Sequence, residues 1–103
     1  MDRIEKLKQF LAESPGDSFL KHALALEYIK LGNDEIAREL FENVLAADPG
    51  YVGSYYHLGK LLERNNNIER AIKIYETGME EAKKAGEKNA LGELRGAYEE
   101  LTM

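Results

Sequence analysis

The sequence predicts an all-α fold: about six helices, packed as antiparallel pairs in a stack. Two observations carry that expectation. Apolar residues recur at helical spacing and never alternate over a useful length, so no strand pattern is present. "LAESPG" at residues 11–16 also returns as "LAADPG" at 45–50, an offset of 34 residues with four of six letters identical. Shifted by that period, Leu24 meets Leu58, Ala25 meets Gly59, Tyr28 meets Leu62, Asn33 meets Asn67, Ala37 meets Ala71 and Phe41 meets Tyr75. Such a period marks supersecondary units that cannot bury their apolar faces alone and stack to do so.

Each element has a local reason. Residues 1–17 read as the second half of a repeat, with a helix near 2–13; Leu7 and Leu11 align with Phe41 and Leu45, and Pro15 with Pro49. Arg3 falls where the full copies carry alanine, which is tolerable if no preceding helix must approach. The helix at 18–31, "SFLKHALALEYIKL", is apolar on most faces and so needs neighbours on more than one side. Asp17 or Ser18 can cap it, and Gly32 suits a left-handed terminating residue. Asn33 then caps a helix at 34–47, whose first turn carries Asp34 and Glu35 at the positive end of the dipole. Its stripe is Ile36, Ala37, Leu40, Phe41, Val44 and Leu45, and "DPG" stops it. A second helix pair follows the same plan at 52–65 and 68–85, joined by the polar turn "NNN". In residues 88–102, Ala90, Leu91, Leu94, Ala97, Tyr98 and Leu101 form one stripe, with Glu93, Arg95, Glu99 and Glu100 opposite. That is an amphipathic cap for an otherwise exposed stack end. Gly92 and Gly96 cost it roughly 1 kcal/mol each against alanine, and either permit close packing or leave the cap loose.

The totals narrow the function classes. A chain of 103 residues is expected to form one domain, 1–103, divided as half-repeat 1–17, repeats 18–51 and 52–85, and cap 86–103. The absence of cysteine removes thiol nucleophiles, disulfides and thiolate metal sites. A formal charge of −5 argues against nucleic acid, whose phosphates reward a basic surface. The charged start "MDRIEKLKQF" is unlike a secretory signal, and no apolar run is long enough for a membrane helix, so a cytoplasmic setting without membrane contact is expected.

At these mutual spacings, Leu24, Ala25, Tyr28, Gly32, Ala37, Phe41 and Pro49 resemble the tetratricopeptide repeat consensus, and Leu58, Gly59, Leu62, Ala71 and Tyr75 resemble a second copy. The resemblance covers residues 18–85 and implies a right-handed α-solenoid. Small residues at Ala25/Ala37 and Gly59/Ala71 are expected to let paired helices approach, with Phe41 and Tyr75 filling the gap to the next pair. Three positions depart from the pattern. Lys21 stands where a large apolar residue is usual, a slot that Tyr55 fills in the second copy. Asn66 replaces a turn glycine, and Lys83 replaces the terminal proline.

The inventory of chemistry is sparse. Ser14, Ser18 and Ser54 lie in no nucleophile-elbow pattern, and the nine glycines form no phosphate loop. His22 and His57 occupy neighbouring positions on successive first helices, yet no third ligand follows a metal spacing. No catalytic activity, cofactor or metal is therefore expected. The resemblance instead implies a concave groove lined by first helices that receives a peptide or partner helix. Carried onto this sequence, its lining is Phe19, His22, Ala23, Leu26, Ile29 and Lys30, then Gly53, Tyr56, His57, Lys60, Glu63 and Arg64. Leu26 and Ile29 are hard to place in a pair interface that Leu24, Tyr28 and Leu31 already fill. Tyr56, Lys60 and Arg64 fall at i, i+4 and i+8, on one stripe. With Lys30 they make this face basic within an acidic chain, which suits an acidic or C-terminal peptide. The family's clamp for a carboxylate-ended chaperone tail requires lysine and asparagine where His22 and Leu26 stand, so that partner class is disfavoured. The alternative expectation is a structural subunit that self-associates through its end helices, as a homodimer.

Overall fold

Helix ends in the computed structural model, which describes residues 2–103, follow from capping chemistry. The described residues form six helices and no strand: α1 Arg3–Glu13, α2 Ser18–Lys30, α3 Asp34–Ala47, α4 Gly53–Arg64, α5 Ile68–Ala85 and α6 Lys88–Thr102. Asp2, Asp17 and Asn33 each accept a backbone N–H three residues on, from Glu5, Leu20 and Ile36, at 2.8, 3.0 and 3.4 Å. Those bonds satisfy donors that a helix start leaves orphaned. The turns between pair members need positive φ, and Gly32 (77°) and Asn66 (63°) supply it. Asparagine thus does the work of glycine in the second turn, as its tolerance of the left-handed region allows.

The chain divides into two units, one through Asp48 holding α1–α3 and one from Pro49 holding α4–α6. In the first, α2 packs between α1 and α3. Leu7, Ala23 and Leu24 form a buried cluster against which Ile4, Leu11, Leu20, Tyr28 and Leu40 pack. Ala37, Phe41 and Val44 of α3 are wholly buried. Arg3 is exposed and ties α1 to α2 through Glu27, its Nε 3.3 Å from the carboxylate. Lys21, in the usually apolar slot, donates from Nζ to Asn43 Oδ1 at 3.2 Å, so its charge is placed at the edge of the α2–α3 contact. Leu31 does not fill the pair interface as expected. It is the C-cap of α2 and 69% exposed, because the chain is already turning towards Gly32.

The second unit is built around two glycines. A Cβ on Gly59 would stand 2.5 Å from Tyr75 Cζ and closer still to Cε1, so the Tyr75 ring lies directly on the α4 backbone. Across from it, a Cβ on Gly78 would meet Tyr55 Cβ at 2.7 Å and Leu94 Cδ1 at 3.1 Å. Gly78 therefore holds α5 close to both α4 and α6. Tyr55 is buried and donates its hydroxyl to the Pro49 carbonyl at 2.6 Å. Both large rings make contacts within their own pair: Tyr75 lies against α4, and Phe41 meets His22 edge-on, with centroids 5.5 Å apart. Leu94 and Ala97 of α6 are buried, and Ala90, Leu91, Tyr98 and Leu101 half-buried, so the cap stripe faces the core. Gly92 and Gly96 are exposed with no atom near enough to meet a Cβ, which excludes a close-packing role.

Candidate protein-interaction faces

α2 presents its residues unevenly. Phe19, in the first turn, is 61% exposed, a large ring in contact with water. His22, Leu26 and Ile29 are half-buried one turn apart along the same helix. Lys30 is exposed, but its Nζ lies 3.1 Å from Glu27 Oε2, the carboxylate that also holds Arg3. Its charge is partly matched before any partner arrives. Ala23 is a correction: it is 6% exposed and belongs to the core with Leu7 and Leu24, because α1 covers that side of α2.

α4 carries the better-organised face. Gly53 is exposed, and Tyr56, His57, Lys60 and Glu63 are half-buried with Arg64 exposed beyond them. The Tyr56 and His57 rings stand edge-to-face, 5.7 Å apart. Lys60 Nζ lies 5.6 Å from the Tyr56 ring centroid and 3.6 Å from Glu63 Oε2. Its cation is thus held over an aromatic face and beside a carboxylate, an ordered arrangement for a lysine. Glu63 has a second task, accepting a short hydrogen bond from the Tyr75 hydroxyl. Burial first, and the Glu63 carboxylate second, push the Tyr75 phenol far above its ordinary range, so it remains a donor. Glu63 is therefore as much a support of the α4–α5 contact as a binding residue.

Between α4 and α6 lies a cavity of about 190 Å³, lined by Val52, Gly53, Tyr56 and His57 on one side and Ala90, Glu93 and Leu94 on the other. The lining is mainly apolar with an imidazole and a carboxylate at its edge, the composition that fixes a ligand side chain in orientation. Burial lowers the His57 pKa below the ordinary imidazole value, with Glu93 opposing the shift, so the ring is chiefly neutral at pH 7. Sequence reasoning selected Tyr56 and His57 but missed Ala90 and Glu93. Both lie on the cap helix, where the stripe analysis sorted residues only as core or solvent. Among the described residues no group of three or more His, Asp or Glu could hold a metal ion, and no helix is long and apolar enough to cross a membrane.

These helix pairs have recognisable relatives. Two tetratricopeptide repeat models match the chain, one over residues 36–94 and one over 20–51. A tetratricopeptide repeat domain protein from Salinibacter ruber has a similar crystal structure, with 43% identity and a TM-score of 0.81 over 84% of this chain and 96% of that one. A TPR repeat-containing protein of Pseudomonas aeruginosa is 29% identical over 88% of this chain and 87% of its own length. The chain belongs to the tetratricopeptide repeat family. Repeats of this family generally mediate protein–protein interaction, and the fold is typically non-catalytic. A mouse aspartyl/asparaginyl β-hydroxylase is also 30% identical over 74 residues, but the chain spans only 10% of that enzyme's length.

Proposed function

We propose that this protein is a non-catalytic interaction module that takes a peptide or partner helix on the exposed faces of its first helices, chiefly that of α4. The observation that carries the proposal is the joint presence, on one helix face, of an apolar cavity edged by Tyr56 and His57 and a lysine held over the Tyr56 ring. An aliphatic or aromatic side chain of the ligand would enter the cavity. An acidic residue or C-terminal carboxylate beside it would meet the basic side chains of Lys60 and Arg64 on the same stripe of α4. Phe19, His22, Leu26, Ile29 and Lys30 on α2 are, in the same reading, a separate candidate contact face of the first unit. A cytoplasmic setting belongs to the same proposal, and subcellular fractionation checks it.

The test compares proteins that co-purify with wild type and with the Tyr56→Ala/Lys60→Glu variant. Loss of a specific partner from the variant, with helicity retained, supports the α4 face. Glu39→Lys provides the control, since Glu39 is exposed on α3, a second helix. A partner lost from Glu39→Lys and retained by the α4 variant would overturn the assignment.

A further inference from the structure

The cavity between α4 and α6 has the size of one particular kind of side chain. Its volume of about 190 Å³ exceeds by about 40 Å³ the roughly 150 Å³ that accommodates a benzene ring. That surplus is close to the share of one water molecule, about 30 Å³, and so to one hydroxyl group. Gly53 and Ala90, one on each helix, are the smallest residues of the lining and leave the space open. Buried Val52 and Leu94 give it apolar wall. The edge-to-face rings of Tyr56 and His57 suit an incoming ring better than an aliphatic chain.

The edge of the cavity discriminates further. Glu93 is exposed on α6, and among the described residues its carboxylate forms no hydrogen bond or ion pair. An ionised carboxylate only accepts hydrogen bonds, so it rewards a ligand that brings a donor. A lysine or arginine would bring one, but its cation would sit against apolar wall and near Lys60, whose Nζ lies 5.6 Å from the Tyr56 ring centroid. A phenol brings the donor without the charge.

The basic stripe sets the spacing around that anchor. Lys60 and Arg64 lie one and two turns beyond Tyr56, about 6 and 12 Å along α4. An extended peptide lying along the helix advances about 3.3 Å per residue and turns every second side chain to the same side. Side chains two and four positions from the anchor therefore arrive level with Lys60 and Arg64, where carboxylates gain charge-assisted bonds. We infer that the α4–α6 cavity is a tyrosine pocket: the partner inserts a tyrosine whose hydroxyl donates to Glu93, with acidic residues two and four positions away on Lys60 and Arg64. The inference rests on the reading of α4 as a partner face and adds the residue which that face selects.

NMR titration of the full chain, labelled with nitrogen-15, reads affinity and location together. The probes are the acetylated, amidated peptide Gly-Tyr-Ser-Glu-Ser-Glu-Gly and its reversed order. Further versions carry phenylalanine or leucine for tyrosine, or glutamine for glutamate. In one of the two orders the tyrosine peptide should shift the amides of Tyr56, His57 and Glu93. Phenylalanine should bind at least about threefold more weakly and leucine at least about tenfold. Glu93→Ala, at an exposed position, should remove the preference for tyrosine over phenylalanine and leave the phenylalanine affinity unchanged. Ala90→Leu fills the cavity and should weaken the tyrosine peptide at least about tenfold, with helicity verified by circular dichroism. Leucine binding as tightly as tyrosine, or a tyrosine preference that survives Glu93→Ala, would overturn the pocket. Glutamate-dependent shifts along α4 in those same titrations would leave the partner face standing. No shift at the cavity from any peptide up to about 5 mM would also overturn the pocket, and the co-purification comparison then decides the face separately.

Discussion

Gly59→Ala is the sharpest perturbation of the packing, because one added carbon has nowhere to go. The new Cβ would stand 2.5 Å from Tyr75 Cζ and 2.8 Å from Cδ1, where ordinary carbon contacts lie near 3.5–4 Å. The ring would have to retreat by about 1 Å. Tyr75 is 0% exposed and its hydroxyl is engaged by Glu63, so retreat disturbs a filled core and a partly buried hydrogen bond. Overpacking costs about 1–3 kcal/mol and the weakened hydrogen bond about 1 kcal/mol more. Alanine's higher helix propensity returns about 1 kcal/mol. The net expectation is a loss of about 1–3 kcal/mol, or roughly 5–20 °C in melting temperature for a chain of this size. Thermal and urea unfolding followed by far-UV circular dichroism measure it. Shortening the ring in Gly59→Ala/Tyr75→Leu should recover part of the loss, since the two sites touch. A Gly59→Ala protein as stable as wild type would show that Tyr75 does not rest on α4 as described.

The same substitution in the cap should have the opposite sign: Gly92→Ala and Gly96→Ala, exposed and unopposed, should each stabilise by up to about 1 kcal/mol in the same unfolding assay. Ala71→Leu, at a wholly buried position, should destabilise by about 1–3 kcal/mol, read from the urea midpoint. Deleting residues 88–102 uncovers the α5 face around Gly78 and Met79 and removes Leu94 and Ala97 from the core; light scattering should detect association and unfolding should lose its cooperativity. His57 has a folded pKa below its unfolded value, so the unfolded state binds more protons as pH falls through about 6.5, and stability should fall with it. His57→Asn should flatten that part of the stability–pH curve, measured against wild type to remove the shared carboxylate contribution.

Much of this fold was legible because its rules act locally. Asp17 and Asn33 as caps, and Gly32 and Asn66 at positive φ, need only neighbouring atoms to be inferred. The 34-residue period then aligned the buried positions Leu24, Ala37 and Phe41 with Leu58, Ala71 and Tyr75. What sequence could not give depended on contacts between distant residues. Gly78 reads as an indifferent glycine within α5 until Tyr55 and Leu94 are seen against it, whereas Gly92 and Gly96 invite a packing role that they lack. Ala23 has the helical phase of a groove residue but is covered by α1. Glu63 has the phase of a binding residue and spends its carboxylate on Tyr75 and Lys60. The cavity beside Tyr56 escaped notice because half its wall comes from α6, outside the repeats whose spacing drew attention.

The most direct measurement of the central claim is site-specific photocrosslinking in cell extract. A benzophenone amino acid replaces Tyr56 in one protein and Glu39 in another, and both are irradiated under identical conditions. The α4 face, with its cavity and its ordered lysine, should give a discrete crosslinked protein from position 56 and none from position 39. Mass spectrometry of that adduct should place the captured segment at an apolar residue flanked by acidic residues or a C-terminus. A discrete adduct from position 39 with none from position 56 would contradict the account.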